Sequence, residues 1–300
     1  MISAVVPTCG GASRLARYLP SVLASLAAAG EPWELIVVDD GGGGAGELPP
    51  GVRLLTLAEN RGYGPAVNAG AASSAGERLL ILNDDVELAS NAVSVLSRHL
   101  VPPVFAVVPA IVSPLAACGD EGGKGACINA GLLEILETKA AAVHPTLYAV
   151  GCCVLCDRSA FLELGGYDEA FAPFFWEDVD LGYRAWRRGL AIFHVPEASC
   201  RHEGSATLRE RHSAQEREEV FFRNRVLFHL RNVQDAPLRA ASLGAWAAFA
   251  LFDDRVARRR GLAGALERFA ALGRRPAHGF SDAQILAQAG GDVAPAAPAL

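Results

Sequence analysis

Short apolar runs alternate with stretches of helical periodicity over the front of the chain, and two of the runs end on paired acids. Residues 2–7 form an apolar run closed by Pro7, and residues 35–38, 52–57 and 79–82 form three more. Between them Leu15, Leu19, Val22, Leu23 and Leu26 recur at helical spacing, and residues 62–76 are Ala-rich and helix-like. Ala92, Val93, Leu96 and Leu100 give a further helical face, and residues 104–108 a further strand. Apolar runs without polar alternation suit strands buried on both faces, so the pattern predicts an α/β fold: a mostly parallel sheet flanked by helices. Ligands of such sheets bind at the carboxyl ends of the strands. There the sequence places Val37-Val38-Asp39-Asp40 and Ile81-Leu82-Asn83-Asp84-Asp85.

The rest of the chain is less regular. Residues 114–146 are Gly-rich around residues 119–125 and read as a loop-rich insertion. A strand is expected over 147–155, a short helix over 158–164, a helix over 177–188 and a strand over 191–195. From Glu210 to about Leu272 the chain reads as helical, and residues 276–300 as a loose tail. Of the chain, 51% is hydrophobic, which excludes intrinsic disorder as its main state. The net charge of −6 argues against a nucleic-acid partner. That sum hides an asymmetry: residues 1–205 carry 13 basic and 23 acidic residues, and residues 206–275 carry 14 and 8.

Seven cysteines and an opening MISAVVPT without a charged leader predict a reducing, cytoplasmic setting. Cys152, Cys153 and Cys156 fall in an apolar run with no second pair at zinc spacing, so they read as small buried strand residues. The longest apolar stretch, residues 240–252, is too short to cross a membrane.

The acids carry the chemistry. Adjacent carboxylates such as Asp84 and Asp85 repel unless a cation lies near them, and hard divalent cations take carboxylate and phosphate oxygens. Glu177-Asp178-Val179-Asp180 opens a helix behind Phe174-Phe175-Trp176. The helix N-terminus favours the carboxylate anion while aromatic neighbours desolvate it, and this balance tunes a general base. Asp180 stands one turn before Arg184 and reads as an ion pair. Gly62-Tyr63-Gly64 imitates a dinucleotide fingerprint, but Val67 occupies its third glycine position, which disfavours an oxidoreductase.

Together these segments resemble the family 2 glycosyltransferases of the GT-A fold, in order along residues 1–232. The resemblance rests on Ala4-Val5-Val6-Pro7-Thr8, Val37-Val38-Asp39-Asp40-Gly41 and Asn60-Arg61-Gly62 through Asn68-Ala69-Gly70. It continues through Leu82-Asn83-Asp84-Asp85, a variant of the Asp-x-Asp motif, and Gly165-Gly166-Tyr167-Asp168-Glu169. Trp176-Glu177-Asp178-Val179-Asp180-Leu181, His202-Glu203-Gly204-Ser205, Arg223-Asn224 and residues 228–232 complete it. Cys9-Gly10-Gly11 and Gly42-Gly43-Gly44-Ala45 replace the family's usual residues in the nucleotide-side loops.

The resemblance implies an inverting transfer of a rhamnose-like or galactofuranose-like sugar from a nucleotide-diphosphate donor. The acceptor would be a hydroxyl of a cell-surface glycan or its lipid-linked precursor. It casts Asp178 as catalytic base, Asp85 and His202 as ligands of Mg2+ or Mn2+, and Trp176 and Glu177 as acceptor-side residues. Pro7, Thr8, Asp39, Asp40, Asn60, Gly62, Asn68, Asn83 and Asp84 would form the nucleotide-sugar pocket. An acidic site for a polyanionic donor itself argues for a divalent cation. The alternative is a non-catalytic nucleotide-sugar-binding protein of the same fold.

The implied organisation is a catalytic domain over 1–205, with a nucleotide-sugar half to about 110 and an acceptor half beyond, then a helical extension over 206–275. Arg255, Arg258, Arg259, Arg260, Arg274 and Arg275 flank apolar helical stretches, as in peripheral membrane elements. Such a contact would lie at the inner face of the cell membrane. A face of Leu262, Leu266, Phe269 and Leu272 could equally pack on the catalytic domain or a second subunit.

Overall fold

A computed structural model of the chain describes residues 1–114, 116, 119–138, 140–204 and 210–290. The front builds as the apolar runs predict: β1 (Ile2–Thr8), α1 (Ala12–Ala28), β2 (Trp33–Asp40), β3 (Val52–Leu57), α2 (Tyr63–Ser73) and β4 (Arg78–Leu82). Then come β5 (Val86–Leu88), α3 (Ala92–His99) and β6 (Val104–Val112). β1 pairs in parallel with β2 and β4, and β2 in parallel with β3. β1 and most of β2 and β4 are buried, as unbroken apolar runs require. α2 lies close on β1 and β2 because Gly70 has no side chain: a Cβ there would stand 2.4 Å from Val5 Cγ1 and 3.0 Å from Val38 Cγ2.

The middle of the chain differs from its sequence reading. The segment expected as loops holds a hairpin, β7 (Lys124–Asn129) and β8 (Leu132–Glu137), and the short β9 (His144–Pro145). The hairpin stands apart from the main sheet, and among the described residues the expected irregularity holds at 119–123 and 140–143. Strand β10 is confined to Cys153–Asp157; residues 147–152 are buried yet largely irregular. β10 enters antiparallel between β4 and β6, so the sheet is mostly, not wholly, parallel. α4 (Arg158–Glu163), a 3-10 turn (Glu169–Phe171), α5 (Glu177–Arg187) and β11 (Ala191–His202) follow. β11 is longer than its apolar core suggests. It pairs parallel with β6 and antiparallel with β5, reaching past its apolar residues to His202. The described sheet runs β3-β2-β1-β4-β10-β6-β11-β5, with β9 added on β11.

Four long helices follow among the described residues: α6 (Ala214–Asn232), α7 (Ala236–Phe252), α8 (Val256–Leu272) and α9 (Asp282–Gly290). α6 opens with a capping box between Ser213 and Glu216. α8 packs on α6 through Ala257, Gly261 and Ala265, with Leu262 and Phe269 against the core. Leu266 and Leu272 stay half exposed, so the expected four-residue apolar face is split between core and solvent. The expected loose tail is corrected over residues 282–290. Asp282 is fully buried and accepts hydrogen bonds from Arg187, from Tyr183 Oη at 2.7 Å, and from the backbone N–H of Gln234 at 2.6 Å and Asp235 at 2.7 Å. One buried carboxylate thus docks α9 on α5. Residues 291–300 lie outside the described residues, as does Ser205.

The charge asymmetry has a structural use. Arg231 and Arg275 reach back to Asp168, and Arg275 and Arg184 to Asp180. Two arginines of the basic back, Arg231 and Arg275, are therefore paired with acids of the front, whereas Arg255, Arg259 and Arg260 stay exposed. Six cysteines are free among the described residues. Among the described residues no helix is long and apolar enough to cross a membrane.

Candidate active site

The strand order brings the acids together. Thr8 and Asp39 stand side by side at the ends of β1 and β2, and β4 runs out into Asn83, Asp84 and Asp85 alongside. Asp84 is buried and fully engaged. Thr8 Oγ1 donates to its Oδ2 at 2.6 Å, and Arg14 donates to Oδ1 at 3.0 Å and Oδ2 at 3.2 Å. Burial pushes its carboxyl above the ordinary range although Arg14 and Thr8 pull the other way. Asp39 accepts from Gly42 N–H at 3.0 Å. Asp40 is committed on both oxygens, accepting from Arg61 N–H at 2.7 Å and Gly62 N–H at 2.9 Å. It therefore shapes the entrance to α2. Gly62 sits at φ +93°, where a Cβ would lie 2.6 Å from Pro173 Cα, so the turn accepts only glycine. Asn60 stays exposed and donates to Cys9 Sγ at 3.0 Å. Pro7 is buried at the end of β1. Asn68 stands apart from this cluster: its amide pairs both ways with the backbone of Tyr167, at 2.8 and 2.9 Å.

Asp85 and His202 meet across the β5–β11 edge. His202 pairs in register with Val86, and its Nε2 lies 3.2 Å from Asp85 Oδ1. Asn83 Nδ2 is 3.4 Å from the same nitrogen. Adjacent ligands on an octahedral magnesium-sized ion lie about 3 Å apart, so this pair fits two neighbouring positions. Glu121 Oε2 is 3.7 Å from Nδ1, too far for a hydrogen bond, and Nδ1 has no hydrogen-bond partner. Burial pulls the imidazole pKa down, but Cys152, Asp85 and Glu121 outweigh it and raise it above the ordinary histidine value. Among the described residues no group of three or more His, Cys, Asp or Glu side chains is placed to hold a metal alone. Asp85 and His202 would need further ligands from outside the protein to complete a cation's shell. A cavity of about 750 Å3, lined in part by Arg17, Tyr18, Arg201 and His202, opens beside the ring.

Asp178 opens α5, half buried. Its Oδ1 accepts from Val179 N–H at 2.8 Å and its Oδ2 from Gly151 N–H at 3.2 Å. Burial raises its pKa, and those N–H groups partly offset the rise. Glu177 is deeper, 8% exposed, and its Oε2 has no hydrogen-bond partner. Burial, then the neighbouring Asp178, push its carboxyl well up. Of the two, Glu177 keeps the proton and Asp178, with its N–H donors, is the one that ionises. Trp176 is buried against Phe221, Phe228 and His229. Asp180 is fully buried and bonded to Arg184 Nε at 2.7 Å, the expected pair, and also to Asn232 at 2.8 Å.

Arg14, Glu121 and Gly151 belong to this arrangement and were not singled out from the sequence. They lie far along the chain from the residues they serve, and no local spacing marks them.

A Rossmann-like α/β sheet with an acid cluster at its strand ends and a carboxylate at a following helix N-terminus places an enzyme-like ligand site at the carboxyl ends of the strands. Residues 3–165 match the model of glycosyl transferase family 2, which spans more than half of the chain. The chain belongs to that family, whose members invert the anomeric centre, and it has the family's GT-A fold with a helical C-terminal region. It is 29% identical over 220 residues to the N-acetylglucosaminyl-diphospho-decaprenol L-rhamnosyltransferase of Mycobacterium tuberculosis, covering 62% of this chain and 71% of that one. It is 24% identical over 217 residues to the pre-mycofactocin glycosyltransferase of the same organism, covering 70% of this chain and 44% of that one. Among solved structures, S. aureus TarS 1–349 in complex with UDP-GlcNAc superposes with a TM-score of 0.54 at 16% identity, over 89% of this chain and 80% of that chain. The mannosyltransferase PcManGT of Pyrobaculum calidifontis, in complex with GDP-Man and Mn2+, gives 0.51 at 18% identity, over 92% and 76%. The non-catalytic alternative finds no support in these matches.

Proposed function

We propose that this glycosyltransferase moves a rhamnose-like or galactofuranose-like sugar from a nucleotide-diphosphate donor to a hydroxyl of a lipid-linked glycan precursor, with a divalent cation bound by Asp85 and His202. The observation that carries the reading is the placement of Asp178. It is a half-buried carboxylate with raised pKa, fixed by Gly151 N–H at the mouth of α5. The lipid-linked acceptor of the mycobacterial rhamnosyltransferase supports the choice of acceptor.

In this reading the acceptor oxygen bonds to the anomeric carbon while the bond from that carbon to the diphosphate breaks on the opposite face. The hydroxyl proton goes to Asp178 and the nucleoside diphosphate leaves. One displacement inverts the centre and needs one base. A bound Mg2+ or Mn2+ would offset the charge of the departing diphosphate. Asp39, Thr8, Asn60, Gly62 and Asn83 line the donor side, with Pro7 beneath them. Asp84 fixes Arg14 and Thr8 there, and Asp40 and Asn68 hold the loops that frame it. Glu177 and Trp176 support the acceptor side from below.

The same reading divides the chain into a catalytic domain over 1–205 and a helical extension, and gives the extension a peripheral contact with the cytoplasmic face of the membrane. Exposed residues support that contact: Leu243, Leu251 and Phe252 of α7, with Arg259 and Arg260 at the start of α8. Self-association through these residues is the competing use.

A donor-hydrolysis and transfer screen across nucleotide sugars with Mn2+ tests the activity. One sugar should be released with inversion, and stabilisation by NAD(H) in place of any nucleoside diphosphate would sink the reading. Flotation with phosphatidylglycerol vesicles at low salt tests the membrane contact; protein left at the bottom of the gradient would reject it.

A further inference from the structure

The loop from Ala170 to Trp176 leads into the helix that carries Asp178, and it takes an unusual course. Phe175 and Trp176 both have φ +73°, the left-handed region that residues with side chains seldom enter. Two such residues in succession cost about 1–3 kcal/mol each unless the surroundings hold them.

The loop's carbonyl groups show what holds them. Trp176 C=O accepts from Asp180 N–H inside α5, as a first helical bond should. Every carbonyl before it, back to Ala170, is taken by a donor from elsewhere in the chain. Pro173 C=O accepts from Tyr63 N–H at 2.9 Å, at the start of α2. Ala170 and Ala172 accept from Arg268 of α8, and Ala172 also from Arg223 of α6 at 2.6 Å. The other three converge on one group: Asn224 Nδ2 lies 2.6 Å from Phe171 O, 2.9 Å from Phe174 O and 2.8 Å from Phe175 O. Asn224 is fully buried, and its own Oδ1 is fixed by Arg223 Nε at 3.0 Å. Among the described residues no other side chain touches as many of these carbonyls.

We propose that Asn224 is a positioning residue for Asp178: its amide gathers the carbonyls of Phe171, Phe174 and Phe175 and so sets the left-handed entry from which the first turn of α5 starts. The inference rests on the reading of Asp178 as base. Asp178 begins two residues after this entry, and its carboxylate meets Gly151 N–H only if the first turn starts where it does. Without the amide, three buried carbonyls lose their donor and the pair of left-handed residues relaxes. A base displaced by an ångström costs about a hundredfold in rate, while the donor pocket on the far side of Pro173 keeps its shape.

The test uses the full-length chain with Asn224→Ala and Asn224→Asp, the second being isosteric but turning a second acceptor toward the carbonyls. With the donor found in the screen, kcat should fall about a hundredfold and the donor KM should stay within about twofold. Amide exchange of peptides covering residues 174–181 should quicken about tenfold, with those of β1 and β4 unchanged. Adding Phe175→Gly to Asn224→Ala should recover about tenfold in kcat, because glycine enters φ +73° without strain. Unchanged kcat and exchange would overturn the proposal. So would a uniform rise in exchange across the sheet with KM and kcat worsening together, since that marks a general scaffold residue. If the parent protein turns over no nucleotide sugar, the assignment of Asp178 fails, and the exchange pattern still decides whether Asn224 sets this loop.

Discussion

Glu177→Gln should make the protein more stable at neutral pH. The side chain is 8% exposed, its Oε2 is unpartnered, and burial holds its pKa well above the ordinary carboxylate value. The sign follows from proton linkage. A native pKa above the unfolded one means the native state binds more protons, so stability falls as pH rises from the unfolded value, about 4.3, toward the native one. Within that window one proton is released on unfolding, and the slope is about 1.4 kcal/mol per pH unit. Even one unit of that window is a sizeable share of a typical domain's stability. Glutamine has the same shape and no proton to lose, and it leaves the same polar end without a partner, so it removes the slope and little else. Urea denaturation of both proteins between pH 4 and 7.5 measures this. The two stabilities should coincide near pH 4 and separate by about 1.4 kcal/mol per unit above it. Parallel curves would refute the reasoning, because they would mean Glu177 is ionised in the native protein. The same carboxyl lies beside the proposed base, so the variant also reports how much stability this site gives up to keep an acid there.

The remaining expectations concern the other groups of the site and its support. Asp178→Asn should lower kcat about a thousandfold with donor binding retained, and the acid limb of the parent's kcat profile should lie above the ordinary aspartate value because burial raises this carboxyl; turnover equal to the parent removes it from the base role. His202→Ala and Asp85→Asn should each abolish the Mn2+-dependent part of thermal stabilisation by UDP or GDP, and a metal titration matching the parent would exclude either as a ligand. Asp282→Asn should cost about 3–5 kcal/mol, since it leaves the buried Arg187 without its counter-charge. A change under about 1 kcal/mol in urea denaturation would show that α9 is not held this way.

The strands and helices of the front were legible because continuous apolar runs and helical spacing report burial directly. Asp39, Asp40, Asp84 and Asp85 were legible because a strand end is a local signal. What each acid touches was not. Asp40 and Asp84 are occupied by Gly62 N–H and Arg14, partners set by strand order rather than by sequence distance. The hairpin β7–β8 was hidden behind the neighbouring glycines, which mask a two-residue turn at Ala130 and Gly131. Helix α9 was hidden because its attachment is small, Ile285 and Ala289 in the core and one buried carboxylate, Asp282, which reads as a surface residue in a Gly- and Ala-rich tail. Asn224 was visible as part of a motif, but its contact with a loop some fifty residues earlier exists only in the fold.

The long strand β11 also acts as a measured length. Its parallel pairing with β6 shifts register between Val195 and Ser199, and it then pairs antiparallel with β5 so that His202 stands opposite Val86. Side chains alternate along a strand, so the number of residues across that irregularity decides which of Arg201, His202 or Glu203 turns toward Asp85. Removing one residue there would bring a carboxylate or a guanidinium to Asp85's side and send the imidazole to the other face. Variation in chain length is therefore tolerable in the segment before β11, but not inside the strand itself.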